Sequence, residues 1–390
     1  VLVTRFWFNM VSYVTLAPVA AALAERLPRR AFLVALDLVR AGVVACLPFV
    51  TEIWQVYVLI FALQAASAGF TPAFQAVVPD VLKDERDYTN ALSLLRLAED
   101  LEQIASPMLA AALLTVVSFP VLFAGTVVGF LLSALLIGTV ALPARAPAAG
   151  EPFLASVTKG VRIYTRTPRL RGLMVMEAAV AAAGAMVYVN TVVLVQDRLA
   201  LGEPQVALAF AAFGAGSIVA AMLLPWLLSR LPDRTVMIAG AALMVAGVAL
   251  VPLVGGFVML LALWALIGFG FSFTQTPIGL IINRSARAED RGAVFAAQFA
   301  LSHACWLVTY PLAGWVGAGA GLSVAALTLA GIGALGLVAV LRNWPAQDAT
   351  DIPHLHPDLP PDHPHLAEHG VHHTHAFVID DLHRRWPRAA

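Results

Sequence analysis

The sequence predicts an all-α integral membrane protein. It is read as two six-helix halves related by an internal repeat, with eleven spans present and the first helix missing from this chain. Three observations predict this. The 390 residues are 60% hydrophobic and only 12% charged, whereas a soluble domain carries about 25% charged residues. Uncharged runs such as 126–142 and 240–271 reach the roughly 20 residues that cross a hydrocarbon core of about 30 Å. Short motifs also recur at a constant spacing of 204 positions. "RLPRR" at 26–30 returns as "RLPDR" at 230–234, and the same offset pairs Lys83 with Arg287, Glu85 with Glu289 and Pro107 with Pro311.

The spans follow in order. Span 1–24 begins inside an apolar stretch, without an initiator Met or a targeting segment, and ends at the basic loop of Arg26, Arg29 and Arg30. Spans 31–50, 54–78, 91–116 and 120–142 complete the first half, 1–142. With one residue of slippage, "GFTP" in the third span matches "SFTQTP" in the ninth. A Pro/Ala-rich and then basic linker, 143–171, contains the amphipathic "FLASVTKGVRIY", expected as a short helix on the membrane surface. The second half, 172–342, holds spans 172–196, 205–229, 235–255, 257–282, 292–318 and 322–341. Span 172–196 has no repeat partner, because that partner would precede residue 1. This is why the reading gives an intact protein twelve spans. A His-rich tail, 343–390, closes the chain.

Charge sets the orientation. Arg26, Arg29 and Arg30, then Lys159, Arg162, Arg166, Arg169 and Arg171, then Arg230 and Arg234, then Arg284, Arg287 and Arg291 all fall on one side if the spans alternate. The opposite loops offer only Arg198. The basic side is therefore expected to be cytoplasmic, with the linker and tail on it. A formal net charge of zero gives no nucleic-acid footprint. Cys46 and Cys305 lie in apolar segments and are read as packing residues.

The segment "AALAERLPRR" at 21–30 carries a resemblance to the major facilitator superfamily. That family's loop after its second helix reads Gly-x-Leu-Ala-Asp-Arg-x-Gly-Arg-Arg. Here Glu25 stands for the Asp, and Ala21 and Pro28 stand where Gly is usual. "PAFQAVVPDVL" and "RTPRLRGL" resemble the bacterial exporter branch that includes siderophore exporters, and the likeness covers roughly residues 1–342. The resemblance implies a secondary active transporter of the bacterial cytoplasmic (inner) membrane working by alternating access. It also implies a gating motif of Glu25, Arg26, Arg29 and Arg30, although these arginines could equally enforce topology alone. The family's antiporter pattern, Gly, three residues, Gly-Pro, two residues, Gly-Gly, falls on Glu102, Ser106-Pro107 and Ala110-Ala111. Glu102 replaces the first Gly, which weakens antiport as an implication.

Charges at membrane depth are expensive and mark candidate sites. Arg96, Glu99, Asp100 and Glu102 share helical spacing about two turns into their span and leave net negative charge, suited to proton coupling or cation binding. An ion-pair network at the helix end is the alternative. The repeat places Glu99 opposite His303, the one histidine in the spans, and sites in such proteins lie between repeats. Asp37 and Arg40 can pair but start seven residues past Arg30, so they are expected to snorkel to the interface. Glu177 is equally ambiguous.

Eight of the ten histidines lie in 354–375. His354, His356, His363, His365, His369, His372, His373 and His375 could bind Ni, Co, Zn or Cu loosely, with Asp358 and Asp362 as oxygen ligands and no rigid four-ligand geometry implied. The first part of the tail is expected to be disordered. Its composition is similar to the His-rich ends of some nickel-resistance exporters, and a solvated or pH-responsive tail is the alternative. No phosphate-cradling Gly-x4-Gly-Lys-Ser/Thr loop, His-Glu-x-x-His or Gly-x-Ser-x-Gly is present, so neither ATP-driven transport nor a hydrolase is indicated. No cofactor is required. The expected partners are the lipid bilayer, protons and a small-molecule or divalent-metal cargo, handled by a monomeric exporter. The alternative is a metal-responsive membrane sensor without transport.

Overall fold

A computed structural model describes residues 2–143, 152–346 and, in the tail, 351–355, 360, 365–366, 372–380 and 382–387. The first half contributes α1 (Leu2–Ala24), α2 (Arg29–Cys46), α3 (Ile53–Val81), α4 (Glu85–Leu113) and α5 (Phe119–Thr139). A linker helix, α6 (Phe153–Arg166), leads to α7 (Pro168–Val193), α8 (Glu203–Leu228), α9 (Asp233–Ala249), α10 (Phe257–Gln275), α11 (Ile278–Ser285), α12 (Arg291–Ala320) and α13 (Leu322–Asn343). The repeat is visible in the helix starts. Arg29 and Asp233, and Ile53 and Phe257, each begin corresponding helices 204 positions apart.

Among the described residues, nine helical stretches are long and apolar enough to cross a membrane, against eleven expected. Helix α4 carries Arg96, Glu99, Asp100 and Glu102, which lower its hydropathy, and within α1 the stretch Tyr13–Ala24 is itself apolar. Both remain continuous helices in the bundle. The expected span 257–282 is broken between Gln275 and Ile278. Pro277 there has no N–H to extend the ladder. Outward faces stay apolar, as lipid contact requires: Leu131, Leu132, Leu135 and Leu136 of α5 are all exposed.

The halves meet through exchanged partners. Helix α1 packs on α12, and α4 packs on α8. In the repeat α1 corresponds to α8 and α4 to α12, so the two seams are pseudo-equivalent. The second half holds the main apolar core, including Trp264, Phe295 and Met186. Its helices approach closely where side chains vanish: a Cβ on Gly268 would stand 1.8 Å from the Phe213 carbonyl oxygen, and one on Gly216 would stand 1.9 Å from that of Ala265. Gly268→Leu should therefore abolish the monodisperse folded peak in detergent chromatography, while Gly129→Leu, with nothing within 4 Å of its Cβ, should leave it intact.

Two expectations change. The linker helix does not rest on the membrane surface alone. It packs against α12 and α1, with Gly160 against the Ala293 carbonyl and Lys159 pairing with Asp290 at 2.7 Å. The tail also contains a two-stranded antiparallel sheet, β1 (Asp351–Leu355) with β2 (His372–Ala376), in which His354 faces His373. Disorder fails for these segments because alternate side chains find a surface. Phe377 and Ile379 are buried in the core cluster of the second half, with Ile352 and Trp386 packed on it.

Candidate functional site

A cavity of about 430 Å³ lies between the halves, bounded by α3 and α4 on one side and α10, α11 and α12 on the other. Arg96, Glu99 and His303 all line it. Helix α4 starts at Glu85 rather than 91, so Glu99 lies 14 residues along it, about 21 Å at 1.5 Å per residue. The acid sits deeper than the two turns read from the sequence.

The α4 charges divide sharply. Arg96 Nε donates to Asp100 Oδ1 at 3.0 Å, and a second guanidinium nitrogen bonds the same oxygen. Glu99 receives one longer bond from Arg96, at 3.2 Å. The Asp100 side chain is 2% exposed and that of Glu99 57%. Asp100 therefore neutralises Arg96, and Glu99 is the acid open to the cavity. Phe271 of the other half lies under the Arg96 guanidinium at 4.9 Å, a cation–π contact. Glu102 is exposed and does not line the cavity. The side chains at 103–105, 107–108 and 111–112, where the Gly-Pro-like pattern falls, lie outside the described residues.

His303 places its ring against Phe299 at 4.1 Å and against Tyr13 of the first half at 4.8 Å. Its Nδ1 lies 2.6 Å from the Phe299 carbonyl oxygen. A carbonyl only accepts, so Nδ1 carries the proton and Nε2 is left to accept another.

Glu177, ambiguous in the sequence, is the residue that reading missed. It is 2% exposed on α7. Gln298 Nε2 donates to its Oε1 at 2.9 Å and Gln275 Nε2 at 3.2 Å. Both glutamines line the cavity, and Tyr164 of the linker helix bonds Gln298. A buried acid thus stands directly behind the cavity wall, tied to the linker. Asp37 is also a correction. It is fully buried and paired with Arg40, whose guanidinium stacks on Phe70 and Phe130 at 3.9 and 4.7 Å. Two aromatic faces hold this pair inside, so it does not snorkel.

At the basic end, the residues of the expected gating motif are placed separately. Glu25 is buried and accepts from Ser156 Oγ of the linker helix at 2.6 Å. Arg26 lies over Phe153 at 5.3 Å, and Arg30 donates to the Val140 carbonyl at 2.6 Å. Arg29 joins a bridge between the halves: Asp80 pairs with both Arg29 and Arg291. The second bridge is its charge-inverted counterpart, with Arg284 pairing with Asp233 and with Glu85. Asp80 and Arg284 are 204 positions apart, as are Arg29 and Asp233. The repeat offset was the signal that could have located these pairs in the sequence.

In the tail, His354, His365, His375 and His383 converge, with one ring nitrogen of each within 4.8 Å of the others. His383 was not among the sequence candidates. His373 is adjacent, its Nε2 3.1 Å from that of His365, whereas His372 is on the exposed face of β2. His356, His363, His369, Asp358 and Asp362 lie outside the described residues. Burial, with the rings of His383, His373 and His375 nearby, holds the His354 imidazole below its ordinary value. Burial would raise Asp380, but the hydrogen bonds from His383 and the Arg287 charge hold it below the usual carboxylate range.

The family model for the Major Facilitator Superfamily matches residues 4–194 and again 173–371. Among curated proteins, the chain is 22% identical over 297 residues to the MFS-type transporter YfiS of Bacillus subtilis (strain 168), covering 73% of this chain and 70% of that protein. It is 23% identical over 176 residues to macrolide efflux protein A of Streptococcus pyogenes, covering 43% of each chain. Two solved structures share the fold. The human organic anion transporter MFSD10 superposes with a TM-score of 0.74 at 15% identity, covering 87% of this chain and 83% of that one. The Escherichia coli fucose:proton symporter FucP superposes with a TM-score of 0.71 at 17% identity, covering 88% and 90%.

Proposed function

Because the chain belongs to the major facilitator superfamily of membrane transporters, we propose that it is a proton-coupled exporter of a small organic cation. The observation that carries this reading is the cavity between the halves, where one open carboxylate, Glu99, meets aromatic rings from both sides. Phe74, Phe271, Phe295 and Phe299 line it together with Gln75, Gln275 and Gln298. Such a lining suits an apolar body bearing one positive charge. It suits a bare divalent ion poorly, because the Arg96 charge stands beside the single open acid.

Coupling follows from competition at Glu99. A proton and a cationic cargo both neutralise it, so each leaves when the other arrives. His303 Nε2 supplies a second proton-accepting atom across the same space. The two halves then rock about the cavity in the cytoplasmic (inner) membrane, with the basic end, the linker and the tail in the cytoplasm. The likeness to a macrolide efflux protein supports export as the direction.

Ethidium counterflow in proteoliposomes tests transport itself and separates a transporter from a sensor. A transporter accumulates labelled ethidium against an unlabelled internal pool, and a sensor does not. His303→Gln should keep counterflow but reduce proton-driven export roughly tenfold, equivalent to about 1.4 kcal/mol. Unchanged export across pH 6–8 would remove His303 from coupling.

A further inference from the structure

We infer that His354, His365, His375 and His383 form a built site for one borderline divalent cation of the zinc, cobalt, nickel or copper class, folded against the basic end of the bundle. The inference is independent of the cargo and of proton coupling.

Hydrogen-bond partners fix which ring nitrogen three of the four histidines present. His354 Nδ1 lies 2.8 Å from the Ile352 carbonyl oxygen, and His375 Nδ1 lies 2.9 Å from that of Ala376. His383 Nδ1 lies 2.9 Å from Asp380 Oδ1. Carbonyl and carboxylate oxygens accept, so each of these Nδ1 atoms carries its proton. The basic lone pairs are then on Nε2. This is the outer-shell arrangement that orients imidazole ligands around a metal, the carboxylate–histidine pair included.

The second observation concerns what those lone pairs face. His354 Nε2 and His383 Nε2 are 3.1 Å apart. With both protons held at Nδ1, two lone pairs at that separation repel unless a cation lies between them. The spacing is close to the about 3.3–3.4 Å edge of a tetrahedron with metal–nitrogen bonds of about 2.0–2.1 Å. A shared proton could join two rings. Four converging rings are what a metal requires, and imidazole nitrogen suits the borderline metals.

Strand geometry explains the assembly. Side chains alternate along a strand, so His373 and His375 share the inward face of β2 with His354 on β1, while His372 points out. His383 enters from the segment after β2 and is 3% exposed. Phe377 packs on His354 at 4.9 Å and on His383 at 4.7 Å, limiting water. The unit is anchored: Asp380 pairs with Arg287, Arg166 Nη1 donates to the Arg384 carbonyl at 3.0 Å, and Arg169 lies over Trp386 at 5.6 Å. Asp380 therefore joins the metal site to the loop between Arg284 and Arg291, which carries both bridges between the halves.

The test uses the full chain, purified in detergent and stripped with chelator. It is titrated with Zn²⁺ by calorimetry and with Co²⁺ by visible absorption. The expected result is one tight equivalent per chain with a tetrahedral Co²⁺ spectrum. His354→Ala and His383→Ala should each weaken Zn²⁺ binding by about 100-fold or more. Asp380→Asn, which removes the carboxylate behind His383 Nδ1 together with the Arg287 ion pair, should weaken it by about 10- to 100-fold, and Arg287→Gln, which breaks the ion pair alone, should weaken it less. His372→Ala should stay within about threefold of the parent. No saturable binding would overturn the inference. So would several weak equivalents that fall equally with His372→Ala and His383→Ala, the behaviour of an unstructured polyhistidine.

Discussion

Glu99→Gln should abolish proton-driven export, by at least about 100-fold, while the protein folds normally and keeps its melting temperature. The expected size comes from the division of labour on α4. Asp100 is buried and takes two hydrogen bonds from Arg96, so the charge of Arg96 stays compensated in the variant. Glu99 takes one long bond and is open to the cavity. Its removal takes away the single open carboxylate on which proton and cargo compete, at the cost of one partly exposed ion pair worth about 1 kcal/mol or less. Asp100→Asn is the informative contrast. It leaves Arg96 buried without its main partner, and a broken buried pair costs about 3–5 kcal/mol, so that variant should lose folded yield rather than coupling. Export assays beside thermal melts of both variants separate the two outcomes.

Asp80→Asn should open the basic end. Among the described residues Asp80 is the acid that holds Arg29 of the first half and Arg291 of the second together, and without it two arginines face each other across the seam. All three side chains are 12–17% exposed, so the buried-pair figure is discounted to about 1–2 kcal/mol. That is a roughly 5- to 30-fold shift in the equilibrium between closed and open basic ends. Spin labels at the ends of α3 and α12 would report it as a new long-distance population in pulsed dipolar spectroscopy. Lys83→Gln, at an exposed side chain with no ion pair among the described residues, should leave the distances unchanged. The inverted bridge through Arg284 remains in the variant, so the shift should be partial.

Most of the fold was legible because its signal is local. A run without charge, such as residues 126–142, declares a span by itself, and the basic loops order the spans. The limits were equally physical. Helix α4 starts six residues earlier than its apolar run, because Glu85 and Asp87 suit a helix N-terminus while lowering hydropathy. Asp37 was expected at the interface because distance along the chain says nothing of Phe70 and Phe130, which come from other helices. The approach of Glu99 and His303 to one cavity was readable, since the repeat maps one onto the other. Glu177 was not, because its significance depends on Gln275 and Gln298, about a hundred residues away. The tail shows both cases: the His-x-His spacing suits one face of a strand, whereas His383 joins the cluster only through the folded segment after β2.

The most direct test is to follow proton movement in proteoliposomes with an acidic interior and a trapped pH indicator, on external addition of ethidium. The expected result is a rise in internal pH that depends on ethidium, saturates with its concentration and disappears in Glu99→Gln. Saturable ethidium counterflow with no accompanying change in internal pH, or an undiminished pH rise in Glu99→Gln, would contradict it.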